Sequence, residues 1–293
     1  DCKTKYRPVL AIVKAAYYGV PQIRSRLIIV AARDGRAFRF PDPTHVPKDE
    51  VHAYGKGIKP FTTAWDAIGD LKEPKEPRKI TGQYAGLLES IPEGENWSWF
   101  NGEGGRPRLF TKAKFSYTLR KLAKAEPSWT VVASMFTTNG PFHWNSRALT
   151  FREMCRIQTI PDDVRVKAPY AEEKRMAGNA VPSLMAEVIG RAIREQLLDS
   201  PIKGPLKLLP PNRGKPPAPT PPRPLSKRFR AQAESGASGD GVKVRGRRDD
   251  APAGVPKNGR TGSNRVGASG DKRHARNQVP AQDDRAVRRA AKR

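Results

Sequence analysis

The sequence predicts an α/β chain, with a small irregular domain set into it and a disordered basic tail behind it. Three observations predict this class. Two short β-branched runs, VLAIV at Val9–Val13 and LIIV at Leu27–Val30, read as buried strands. Leu184, Val188, Ile189, Ala192, Ile193 and Leu197 recur on one face of a helical pattern. Beyond Ser200 the chain turns Pro-rich (GKPPAPTPPRPLSKR) and then Gly-, Ser-, Ala-, Arg- and Lys-rich. Such a stretch holds too few apolar residues to offset the entropy of ordering.

The two strand runs are joined by YYGVPQIRSR, in which Gly19 and Pro21 make the connection rigid. Arg24 and Arg26 stand at alternate positions of an extended segment, so both guanidinium forks face one side. That pair is suited to holding an anion or a base edge. From Arg33 to Pro141 the periodicity weakens. TTAWDAIGDL predicts one short helix capped by Thr63, with Asp66 three residues on. Turn-rich pieces with aromatics follow: PEGENWSWF, GEGGRPRLF and KFSYTLRKL. Trp97, Trp99 and Trp129 read as packing for a small domain, and His143 as a hydrogen-bonded structural residue.

At Thr150 regular structure returns. TFRE is a capping box, Thr150 with Glu153, and Met154 and Ile157 supply the apolar side of the helix it opens. In MAGNAVPSLMAEVIGRAIREQLL, Gly178 and Asn179 suit the end of one helix and Pro182 the first turn of the next. Glu187 and Arg191 pair four apart on the outer face of that last helix.

Of the net charge of +26, residues 1–200 carry +10 and the last 93 residues +16. Closely spaced cations of this kind suit either a solvated tail or a nonspecific nucleic-acid tether. Cys2 and Cys155 are the two cysteines, with no CxxC and no His cluster, which predicts neither a structural metal nor a disulfide framework. The longest apolar run, Leu27–Ala32, is too short to span a bilayer. A cytoplasmic, nucleoid-associated protein is expected.

Three separated pieces then stand in one order: YGVPQIRSRLIIVA, RALTFREMCRIQTIPDD and RMAGNAVPSLMAEVIGRAI. Together they resemble the last three blocks of the DNA cytosine-5 methyltransferases: GVPQxRxR, then a variable target-recognition region, then LTxRExxRxQxxPDD and GNAVP. AWDAIGDL, IPEGENW, LRKLAKAEPSWTVV and FHWNSRALT look like the recognition-region text of bacterial or phage members. The resemblance covers Tyr6 to Leu198. It implies the C-terminal part of a Rossmann-like S-adenosylmethionine-dependent methyltransferase fold, with residues 1–32 ending the catalytic sheet and 33–141 forming the target-recognition domain. Residues 142–200 would be closing helices that return to the catalytic domain, and 201–293 the disordered tail.

The resemblance also implies roles. The family adds a thiolate to C6 of a flipped-out cytosine and transfers a methyl group to C5. Arg26 would stabilise charge growing at O2 of that base. Arg24 would hold the flipped nucleotide's phosphate or brace the active-site carboxylate, and Gln22 would fix the loop. Asn179, Ala180 and Val181 would help close the S-adenosyl-L-methionine site. Arg152 and Glu153 would brace the two domains. Arg106, Arg108, Lys112, Lys114, Arg120 and Lys121 are the candidates for contact with double-stranded DNA, mostly at phosphates.

The departures matter equally. The family's Gly-rich loop, Pro-Cys nucleophile and Glu-Asn-Val are not in this sequence, whose first residue is Asp1. They predict the C-terminal portion of an enzyme, inactive alone, with a complementary N-terminal catalytic half elsewhere. A subunit of a split enzyme and a non-catalytic DNA-binding protein are the alternatives.

Overall fold

The structure is a computed structural model and describes residues 6–82, 84–109, 118–133 and 138–234. Strand β1 (Arg7–Lys14) and strand β2 (Ser25–Ala32) form an antiparallel hairpin, with Val9 opposite Val30 and Val13 opposite Arg26. Helix α4 (Ser183–Leu197) lies against one face of it. There Val13 and Val30, with Ala11 and Ile28 beside them, meet Leu184, Val188, Ile189 and Ala192. The helical face read from the sequence is the buried one. Glu187 and Arg191 pair at 2.6 Å on the other side.

The strands were expected to be buried, and only one face is. Leu10, Leu27 and Ile29 are 57–58% exposed. Leu10 pairs with Ile29, and Ile12 with Leu27, so the outer face of the hairpin is an open apolar surface. The alternation of apolar residues on both faces is the mark of a strand covered on two sides. In this chain the second cover is missing among the described residues.

Strand β3 (His45–Val46) runs parallel to β4 (Lys59–Pro60) and leads to helix α1 (Ala64–Ile68). The predicted Thr63 cap is present and forms a full capping box, Thr63 Oγ1 accepting from the Asp66 amide at 3.1 Å while Asp66 accepts from the Thr63 amide at 2.9 Å. α1 packs with helix α2 (Phe151–Ile157) and helix α3 (Tyr170–Asn179) around Ile68, Leu122, Trp144, Met154 and Ile157. A further core gathers Leu87, Leu88, Ile91, Phe100, Leu109, Leu119 and Phe142 from short 3-10 turns and loops. Trp97 and Trp99 pack at its margin, as expected of structural tryptophans.

The tail departs from expectation in its first third. Residues 201–234 lie along the body, and helix α5 (Lys227–Glu234) closes the described chain. Leu206, Leu208 and Leu209 pack beside α4. Arg213 bonds Asp66, through its own amide at 2.8 Å and its Nε at 2.9 Å to the Asp66 carbonyl. Arg223 pairs with Glu89, and Phe229 is buried among Leu87, Leu88 and Phe100. Composition alone missed this because a few well-placed apolar and charged anchors hold a Pro-rich extended segment whose φ is already restricted. Residues 235–293 lie outside the described residues. No helix among the described residues is long and apolar enough to cross a membrane.

Candidate functional site

The loop from Val20 to Ser25 is the point where distant parts of the chain meet. Gln22 is fully buried, and its Oε1 accepts from the Val131 amide at 3.2 Å while its Nε2 points to the Ile157 carbonyl at 3.5 Å. Ile23 and Ser128 exchange backbone bonds with this segment, Ile23 N to Ser128 O and Ser128 N to Pro21 O. Thr130 donates to the Ile23 carbonyl at 2.6 Å. Gln22 thus ties the loop to Val131 and Ile157.

Arg24 is only 2% exposed. One terminal nitrogen donates to the Val131 carbonyl at 2.9 Å, the other to the carbonyls of Gly178 at 2.8 Å and Ala180 at 3.2 Å. Its Nε is buried with no hydrogen-bond partner among the described residues. Burial, and then the neighbouring Arg26 cation, lower its pKa to about 10. The sequence reading gave Arg24 a phosphate or a carboxylate. In the structure its terminal nitrogens are committed to backbone carbonyls, so it braces three segments instead. Five fixed N–H donors on a planar fork suit that task, and a lysine could not span the three acceptors.

Arg26, two residues on, is half-buried at the rim of this junction, with Nη1 on the neighbouring Ser25 carbonyl at 2.8 Å. Its guanidinium is thus held locally, on the strand face it shares with Val13 and Val30. The α3 end that Arg24 holds turns into α4. Asn179 and Val181 are exposed and Ala180 half-buried, while Gly178 is buried. A Cβ on Gly178 would lie 2.2 Å from the Ala133 nitrogen, so backbone passes directly over backbone there. Only glycine permits that approach. Gln158 donates to the Ala177 carbonyl, and Leu184 N donates to Thr159 Oγ1 at 2.8 Å, tying α2, α3 and α4 together.

Segment 128–133, which lies within the stretch expected to form the recognition region, is threaded between the Gln22–Arg24 loop and Gly178. The EPSWTVV run was on view, but its role depends on partners more than a hundred residues away.

In the second block Arg152 corrects the expectation of a brace between domains, since among the described residues it bonds only Pro161, Asp162 and Val164 of the turn that follows α2. Glu153 accepts from Arg147 at 2.7 and 2.9 Å in a buried pair, and Arg147 also reaches Glu73 at 2.6 Å. His143 sits in that group, its Nδ1 accepting from the Asn145 amide at 3.1 Å and its ring against Trp144. Burial first, then Arg147, push its pKa down to about 4, so the imidazole is neutral at pH 7. Arg152 and Arg156 close the turn after α2 through Asp162, and Arg156 reaches Asp70 at 2.7 Å. Cys155 is buried, and burial raises its thiol pKa. It has no character of a nucleophile.

The DNA candidates divide. Arg108 is exposed, Arg106 stacks on Trp99 at 4.3 Å and faces Glu95 at 3.6 Å, and Arg120 stacks on Trp129 at 4.6 Å. Lys121 corrects the expectation. It is buried, with Nζ 2.8 Å from the Ile91 carbonyl, and burial lowers its pKa to about 8. It holds a turn together and cannot reach a phosphate. Lys112 and Lys114 lie outside the described residues. Among the described residues no group of three or more His, Cys, Asp or Glu is placed to hold a metal ion.

Residues 3–195 match the family model for C-5 cytosine-specific DNA methylase. The chain is 37% identical over 210 residues to the type II methyltransferase M.SacI of Streptomyces achromogenes, covering 67% of this chain and 54% of that one. It is 36% identical over 173 residues to M.NgoFVII of Neisseria gonorrhoeae, covering 57% of this chain and 44% of the other. With M.BbvI of Brevibacillus brevis it shares 33% identity over 198 residues, 65% of this chain and 50% of the relative. The chain spans about half the length of the curated relatives it matches.

Proposed function

This chain belongs to the C-5 cytosine-specific DNA methylase family, and from that membership we propose that it supplies part of a DNA cytosine-5 methyltransferase. Its contribution is target recognition and the closing wall of the active site. The observation that supports the reading is the Gln22–Arg24 junction, which fixes both the strand end carrying the half-buried Arg26 and the α3 end carrying the exposed Asn179.

In this reading a cytosine flipped out of duplex DNA is met by Arg26 at O2, where charge grows as a thiolate adds to C6. Arg24 and Gln22 act through position, holding the strand end that carries Arg26. S-adenosyl-L-methionine, when bound, supplies the methyl group that reaches C5. The exposed amide of Asn179, with Ala180 and Val181, fits the edge of its site: a polar group and an apolar one stand together on a backbone that Arg24 fixes. Residues 33–141, apart from the 128–133 segment at the junction, would read the sequence around the target, with Arg106, Arg108 and Arg120 toward the duplex.

The Pro-Cys nucleophile is not among residues 1–293, whose two cysteines follow Asp1 and Met154. A complementary catalytic half would lie on the open face of the hairpin, over Leu10, Leu27 and Ile29. Exposed apolar faces of this kind are docking surfaces.

The test is incorporation of labelled methyl groups into duplex DNA. The chain alone should give none, and the chain paired with its complementary polypeptide should give C5-methylcytosine. Incorporation by the chain alone would overturn the division of labour. Salt-dependent DNA binding by a pair that transfers no methyl group would replace it with the non-catalytic reading.

A further inference from the structure

The segment after α4 is anchored in succession along the body, and its anchors end on the core that carries the recognition residues. Leu206, Leu208 and Leu209 pack beside α4, and Arg213 bonds Asp66 and pairs with Asp70 at 2.9 Å. The Thr220 amide meets Glu93, and Arg223 bonds Glu89 through both its backbone and its side chain. Phe229 then plugs the core formed by Leu87, Leu88, Ile91 and Phe100, where it is 5% exposed. Around that one buried ring, α5 carries Lys227, Arg228 and Arg230, all exposed.

These three cations have no ion-pair partner among the described residues, in contrast with Arg213 and Arg223 of the same segment. Arg228 lies 5.5 Å from the Phe229 ring and Arg230 touches the Leu225 carbonyl at 3.4 Å, contacts that leave their charge unneutralised. The sequence that follows Glu234 continues the sign, with fifteen Lys or Arg against six Asp over residues 235–293. A solvated tail gains nothing from being tied down at Asp66, Glu93, Glu89 and the Phe229 socket. A polyanion-binding element does, because anchoring places its charge beside the surface where the polyanion already lies.

We propose that α5 is a sequence-independent phosphate contact for duplex DNA, held on the recognition side by the segment from Leu206 to Phe229. The proposal rests on the reading of DNA as the partner, and it adds a site that the three family blocks do not contain. Lys227, Arg228 and Arg230 would displace counterions from phosphates flanking the target, which positions the duplex without reading it.

The experiment is the salt dependence of binding by the full chain to a duplex of A·T pairs only. That probe holds no cytosine and needs no methyl donor, so its result is independent of methyl transfer. The variant Lys227→Gln, Arg228→Gln, Arg230→Gln should reduce the slope of log K against log salt by about 2 to 3, close to 0.9 per phosphate contact. The charge-conserving variant Lys227→Arg, Arg228→Lys, Arg230→Lys should keep the original slope, which a packing defect would not. An unchanged slope in the glutamine variant would overturn the proposal. A larger loss on single-stranded RNA than on the duplex would also overturn it.

Discussion

The hairpin with α4 and the irregular middle of the chain solve the problem of stability in opposite ways. The hairpin is regular and apolar, satisfied on its inner face by Leu184, Val188 and Ile189 and open on its outer face at Leu10, Leu27 and Ile29. The middle has little regular structure, yet it is closed by charge as well as by apolar packing. Arg147 with Glu153, Lys124 with Glu93, and Lys121 on the Ile91 carbonyl are all buried. An apolar face can wait for a partner, whereas buried ions need every partner in place. The comparison leaves the outer face of the hairpin open to a cover and makes the ionic network the stabiliser of the middle of the chain.

The largest effect should come from breaking that network. Glu153→Ala takes from buried Arg147 its one buried carboxylate, leaving the half-exposed Glu73, and removes the acceptor that caps α2. It should cost about 3–5 kcal/mol of stability in urea unfolding, the usual scale for one half of a buried pair. A cost below about 1 kcal/mol would mean the network is an ornament on an apolar core.

The same network sets a pH dependence. His143 has a folded pKa of about 4, below its ordinary value of 6.5, because burial and Arg147 oppose its charge, while Glu153 and Glu73 pull the other way. The unfolded chain therefore binds more protons between those values, and stability falls as pH drops from about 6.5 toward about 4. His45, lowered to about 4 by burial and Lys59, adds in the same direction. Urea midpoints across that window should decline, and His143→Phe should flatten the decline.

The smallest effect on the chain alone should come from the open face. Leu27→Lys should change stability by no more than about 0.5 kcal/mol, as exposed substitutions do. It should nevertheless abolish assembly with the complementary half, read as loss of co-purification. A large destabilisation of the isolated chain would show that the outer face is already covered.

Much of this was legible in the sequence where the determinants are local. Thr63 with Asp66 and Thr150 with Glu153 each span four residues, and the cap expected at the first and the capping box expected at the second both formed. The apolar face of α4 follows from spacing alone. What was not legible depends on distant partners. Arg24 and Arg26 look equivalent as text, and their fates differ because Arg24 meets carbonyls at Val131, Gly178 and Ala180. Lys121 and Arg120 are neighbours, and only the fold decides which one lies beneath Ile91. The anchoring of residues 201–234 was hidden for the same reason, since single residues such as Phe229 vanish in a compositional average.

The central claim is that this junction exists to present Arg26 to a flipped cytosine. Its most direct test is the turnover of Arg26→Ala in the assembled enzyme. Turnover should fall by about a hundredfold or more, the scale of one preorganised donor to a developing oxyanion, with unfolding unchanged. Near-normal turnover would remove Arg26 from the chemistry and leave the junction a structural brace.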